Sequence, residues 1–144
     1  MTVETRTVET RTAQTRTAQT RTVELVVCET CRRPEDPPDA VRPGAELVAL
    51  MERALADQPD LAASVRLRPM RCLMSCKRPC AVAVRSPTRM SYVLGDFAPD
   101  EMTVETLTAY LRAYAATGDG IVPFKQWPQG VKGRFVSRLP PLED

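Results

Sequence analysis

An α/β fold with a four-stranded mixed sheet is what this 144-residue sequence predicts, and three observations predict it. Short β-rich runs alternate with stretches whose apolar residues recur at helical spacing. Two of the runs each lead into a cysteine cluster, "CETC" at 28–31 and "CLMSC" at 72–76, so both clusters occupy loops that leave strands. Two short apolar runs separated by "RSPTR" are then followed by one long amphipathic helix. The resulting order, β-α-β then β-β-α, is a thioredoxin-like arrangement, with an irregular C-terminal extension beyond it.

Each element has its own justification. After Met1 the chain repeats "TVETR TVETR TAQTR TAQTR". A period of five matches neither helix nor strand, and the Thr-rich, charged composition offers no face to bury, so residues 1–21 are expected to form a disordered tail. "TVELVV" is a β-rich run ending at Cys28. "RRPEDPPDAVRPG" is too proline-rich to be helical. "GAELVALMERALADQ" places Leu47, Val48, Leu50, Met51, Ala54 and Leu55 on one helical face, and in "SVRLRPM" Val65 and Leu67 alternate with Arg66 and Arg68. "CAVAV" and "MSYVLGDF" form a hairpin. A helix follows with Pro99, Asp100 and Glu101 at its start, apolar Met102, Val104, Leu107, Tyr110, Leu111 and Tyr114 along it, and Gly118 at its end. The expected domain therefore spans 22–118. Residues 119–144 show no period but carry Phe124, Trp127 and Phe135, which are expected to drape over the core.

Composition narrows the chemistry. Charged residues nearly balance, 20 Lys and Arg against 18 Asp and Glu, which gives no case for a nucleic-acid partner. No apolar run reaches membrane-spanning length and no stretch reads as a secretory signal, so a soluble cytoplasmic protein is expected, with no membrane partner. The absence of histidine excludes Ser-His-Asp triads, Cys/His proteases, Rieske centres and mixed Cys/His zinc sites. In a reducing compartment five cysteines in two clusters point to metal binding or redox chemistry rather than a disulfide framework.

Two thiolates from each of two loops, at the same end of adjacent parallel strands, would converge as tetrahedral zinc or an iron-sulfur cluster requires. Cys28 and Cys31 form the first pair. Spacing leaves the second open, because Cys72 with Cys76 and Cys76 with Cys80 are both C-x3-C. Cys80 also begins a strand in which Val82 and Val84 share its face, as a core residue would. A thiol-disulfide redox protein using "CETC" is a third reading, but "RRPEDPP" follows the pair where a reactive thiolate needs a helix N-terminus.

The segment "CLMSCKRPCAVAV" resembles the "CLGxC" ligand loop, proline and apolar strand of the thioredoxin-like 2Fe-2S ferredoxins, and "SYVLGDFAPDEMTVETLTAYL" is similar to their Tyr-containing strand and final helix. From "VCETCRRP" to "RFVSRLPP" the chain also resembles a bacterial family of predicted metal-binding proteins of unknown function with this cysteine set. It departs from the ferredoxins in its shorter C-x2-C pair and in "LMS" where they carry Leu-Gly-x. The resemblance implies a 2Fe-2S cluster held by Cys28, Cys31, Cys72 and Cys76, with Cys80 as the alternative ligand and zinc as the alternative metal. It implies an electron carrier rather than an enzyme; by analogy with the second family, a metal-binding accessory role linked to cobalamin metabolism is the alternative.

Arg32, Arg33, Arg68, Arg71, Lys77 and Arg78 flank the cysteine loops. Read functionally, they favour the reduced state of a negatively charged cluster and steer an acidic redox partner; read plainly, they are solvated surface. A homodimer is left open. Trp127 and Tyr92 are expected to be core or cover residues rather than an electron path.

Overall fold

The computed structural model describes residues 22–142, and the tail expected over 1–21 lies outside them. Strand β1 (Val23–Cys28) leads through the proline-rich loop to helix α1 (Pro43–Ala56), a single turn α2 (Pro59–Ala62) and strand β2 (Val65–Met70). The hairpin β3 (Val82–Ser86) and β4 (Arg89–Leu94) follows, then α3 (Glu101–Ala116) and β5 (Phe135–Leu139). The sheet runs β2-β1-β3-β4-β5, parallel between β1 and β2 and antiparallel elsewhere.

The core follows from the two periodicities. Val23, Leu25 and Val27 are fully buried at every second position of β1, and Val82 and Val84 repeat this on β3. Leu47 and Met51 of α1 and Leu107, Leu111 and Tyr114 of α3 join them in one apolar cluster. Proline occupies the first turn of α1, where a missing N–H costs nothing. Asp100 caps α3 by accepting from the Thr103 amide at 2.9 Å. Arg89 ties the hairpin to the other end of that helix, donating to the carbonyls of Thr117 (2.9 Å) and Ala115 (3.1 Å), where a cation suits the helix dipole.

Two expectations are corrected. Met102 is 73% exposed, and Thr103 and Thr106 take buried positions on α3 instead, because the buried stripe is set by Leu107, Tyr110 and Tyr114, one and two turns on. The C-terminal extension is not wholly irregular: after two short 3-10 turns it supplies a fifth strand at the β4 edge, Tyr92 opposite Arg138 and Leu94 opposite Phe135. Only Phe135 of β5 is partly buried, so the strand has no apolar alternation for a sequence reading to detect.

Candidate metal centre

The parallel register pairs Cys28 with Met70, so β1 and β2 release their chains at the same edge of the sheet. The loops they release are stitched together by hydrogen bonds. The Glu29 amide donates to the Met70 carbonyl at 2.8 Å, the Cys28 amide to Ala81 at 3.1 Å, and the Thr30 hydroxyl to Arg71. The Cys28 thiol also faces the Arg71 carbonyl at 3.8 Å. Within "CETC" the Cys31 amide turns back onto the Cys28 carbonyl at 3.3 Å, and the Cys31 carbonyl accepts from the Gly44 amide in the first turn of α1 at 3.2 Å. Gly44 lies so close that a β-carbon there would stand 2.0 Å from the Cys28 carbonyl oxygen.

Between these loops is a cavity of about 280 Å³ whose wall includes Cys28, Cys31, Cys72 and Cys76. Cys28 and Cys31 are buried, Cys72 is half-buried and Cys76 exposed, and all are free thiols. The structure thus brings together, around one space, the four cysteines named from the sequence. Cys80 does not line it. Its side chain is fully buried, and its backbone is fixed opposite Phe97 by reciprocal amide-carbonyl bonds of 3.0 and 3.3 Å. Among the described residues, no three His, Cys, Asp or Glu side chains gather about a point that would hold a single metal ion.

Burial pushes the Cys31 thiol up to about 12, with the neighbouring Cys28 thiol adding to the effect, and burial likewise raises Cys80 to about 11. At the second loop the Met74 amide donates to the Cys72 sulfur at 3.3 Å. Met74 adopts a left-handed φ of 58°, so the "LMS" turn delivers an amide to sulfur without glycine, at the conformational cost a side chain carries there.

The flanking cations separate into different roles. Arg32 and Arg33 line the cavity, joined by Arg42, which the sequence reading missed; Arg42 precedes α1 and reaches back to the Thr30 carbonyl at 3.3 Å. Nothing in its local sequence marks it, since a fold-level contact brings it there. Arg68 is drawn to Glu24 on β1 at 3.8 Å. Arg78 is a strut: it pairs with Asp96 at 2.7 Å and donates to the carbonyls of Gly133 (2.7 Å) and Phe135 (3.2 Å), fastening the second cysteine loop to the start of β5. Arg71 and Lys77 are exposed. Trp127 and Tyr92 lie away from the thiols, in an aromatic cluster around Phe135.

A family model described as "Protein of unknown function (DUF1636)" matches residues 25–141. No curated protein matches the chain. Among solved structures, the chain is similar to a thioredoxin-like 2Fe-2S ferredoxin from Aquifex aeolicus at a TM-score of 0.53 and 18% identity, over 81% of this chain and 91% of that one. A 1.5 Å crystal structure of the wild-type thioredoxin-like 2Fe-2S ferredoxin from the same organism gives 0.50 and 16%, over 80% and 96%. A cysteine-to-serine variant of that ferredoxin gives 0.52 and 17%, over 80% and 98%. At these identities the likeness establishes the thioredoxin-like fold.

Proposed function

The chain belongs to the DUF1636 family of proteins of unknown function, and from that premise we propose that it is a one-electron carrier binding a 2Fe-2S cluster through Cys28, Cys31, Cys72 and Cys76. The observation that carries the reading is the cavity between the two loops, whose wall takes in these four thiols and leaves Cys80 in the core. The thioredoxin-like fold, shared with solved 2Fe-2S ferredoxins, supports it.

Four cysteine thiols are a donor set that either such a cluster or tetrahedral zinc takes. Tetrahedral zinc draws four sulfurs to about 2.3 Å from one point, hence about 3.8 Å from each other. A binuclear cluster takes its thiolates as two pairs, one per iron. Two thiols come from each of two loops, and the fold shared with solved 2Fe-2S ferredoxins is what favours the cluster.

When bound, the cluster would supply reversible uptake of one electron at the protein surface. The chain's residues do the rest. Cys28 and Cys31, locked against Gly44, present one pair from a rigid turn. Cys72, with its sulfur accepting from the Met74 amide, and the exposed Cys76 present the other. Arg32, Arg33 and Arg42 set positive charge against the cavity; this favours the reduced, more negative state and draws an acidic docking partner. On this reading the protein is an electron carrier rather than an enzyme.

The test is to purify the protein without oxygen, record its visible spectrum and assay iron, sulfide and zinc. A red-brown protein with about two irons and two sulfides per chain is expected. A colourless chain with one zinc would replace the reading with a structural or accessory metal site. A metal-free chain with a titrating dithiol couple would replace it with thiol-disulfide chemistry.

A further inference from the structure

At the far side of the sheet from the cysteine loops, β4, β5 and α3 enclose a second cavity, of about 330 Å³. Its wall is aromatic. Tyr92, Tyr110 and Trp127 surround Phe135, with ring centroids 5.3, 5.8 and 4.8 Å from that of Phe135. The volume falls within the range of sites that take small organic ligands.

The polar groups distinguish this cavity from a packing defect. Tyr110 and Tyr114 are both buried on α3, at 1% and 0% exposure. The Tyr114 hydroxyl donates to the Met90 carbonyl at 2.5 Å. The Tyr110 hydroxyl has no hydrogen-bond partner among the described residues, yet no fully enclosed polar side-chain atom among them is unpaired. Tyr110 is one of the residues that line the cavity. The Trp127 indole N–H is already taken by the Val122 carbonyl at 2.8 Å, which fixes the ring as wall rather than donor. At the exposed margin stand Ser137 and Arg138 of β5. Arg138 has no carboxylate partner among the described residues, unlike Arg68, Arg78, Arg85 and Arg112.

We propose that this cavity binds a small aromatic carboxylate, its ring between Tyr92, Trp127 and Phe135, its carboxylate on Arg138, and a polar ring substituent or edge toward Tyr110. The pieces are complementary in kind. Flat aromatic walls favour a ring, Arg138, with no carboxylate partner among the described residues, selects an anion, and the Tyr110 hydroxyl gains a partner that the described residues do not supply. Burial raises the Tyr110 hydroxyl above its ordinary value, so it stays protonated and available to donate.

The experiment is calorimetric titration of the full chain with 2-naphthoate and with its neutral isostere 2-naphthamide. Saturable one-to-one binding of naphthoate is expected, with naphthamide about tenfold weaker for want of the charged contact. Arg138→Gln should abolish that difference, and the isosteric Tyr110→Phe should weaken both probes by about fivefold. Arg138 sits on an exposed edge strand, so its result stands even where Tyr110→Phe impairs folding. Absence of saturation, equal binding of naphthoate and naphthamide, or indifference to Arg138→Gln would each overturn the assignment.

Discussion

Replacing Gly44 by alanine tests whether the contact between α1 and the "CETC" turn holds the first thiol pair in place. The added β-carbon would meet the Cys28 carbonyl oxygen at 2.0 Å and the Cys31 amide nitrogen at 3.1 Å; real β-carbons essentially never approach within 3.0 Å. Either the helix start or the turn must therefore move by about 1 Å. Helix propensity alone would favour alanine by about 1 kcal/mol. The clash is with backbone rather than a flexible side chain, and overpacking of this kind costs about 1–3 kcal/mol, so a net loss of up to about 2 kcal/mol is expected. The metal consequence should be larger. Metal-sulfur bonds tolerate about 0.2 Å, and a displacement several times greater separates Cys28 and Cys31 from Cys72 and Cys76. Iron and sulfide per chain should fall by more than half, and the denaturation midpoint of the metal-free protein should drop. Gly118→Ala is the control, because a β-carbon there meets nothing within 4 Å. A Gly44→Ala protein matching the Gly118→Ala protein in both iron content and midpoint would refute the reasoning.

Other substitutions separate ligands from structure. Changing Cys28, Cys31, Cys72 or Cys76 to alanine should abolish the visible spectrum, whereas Cys80→Ala should keep it and lose about 1 kcal/mol of stability by chemical denaturation, as a small buried truncation does; colour lost with Cys80 and kept with Cys72 would move the second pair. Replacing Arg32, Arg33 and Arg42 by glutamine should lower the reduction potential by about tens of millivolts in protein-film voltammetry and flatten the salt dependence of electron exchange with an acidic partner, exposure to solvent limiting the size. Arg78→Gln should do neither, and instead destabilise by about 1–3 kcal/mol in urea through loss of its bonds to Asp96, Gly133 and Phe135. Asp100→Ala should cost about 1 kcal/mol by removing the cap on the Thr103 amide, read as a lower melting temperature with an unchanged spectrum.

What the sequence disclosed, and what it withheld, follow from the range of the interactions. The period-two burial of Val23, Leu25 and Val27 and the helical stripe through Leu47, Met51 and Leu55 are local patterns, and the strands and helices they predict are present. The burial of Cys80 was legible for the same reason, since it continues the alternation of Val82 and Val84. β5 was hidden because an edge strand with one partly buried residue needs no pattern beyond backbone pairing with β4. Arg42 and Arg78 could not be sorted from the sequence. One faces the cavity and the other is a strut only because of carbonyls contributed from 12 and from 55 to 57 residues away. The second thiol pair was chosen by resemblance, where C-x3-C spacing was ambiguous; in the folded chain Cys72 and Cys76 line the cavity and Cys80 turns into the core.

The parallel pairing of β1 with β2 also governs when the thiols can act together. Cys28 and Cys31 are made long before Cys72 and Cys76 emerge in synthesis, and nothing local joins the two loops. Their shared boundary requires the parallel β1-β2 pairing, a contact between segments about 42 residues apart, of the non-local kind that is slow for a chain to make. A nascent or unfolded chain therefore offers two separate dithiols, each able to capture the wrong soft metal or to oxidise. The four-thiol boundary is a property of the folded protein; on the proposed reading a cluster would be loaded after folding, with Cys76, the exposed thiol, most open to delivery.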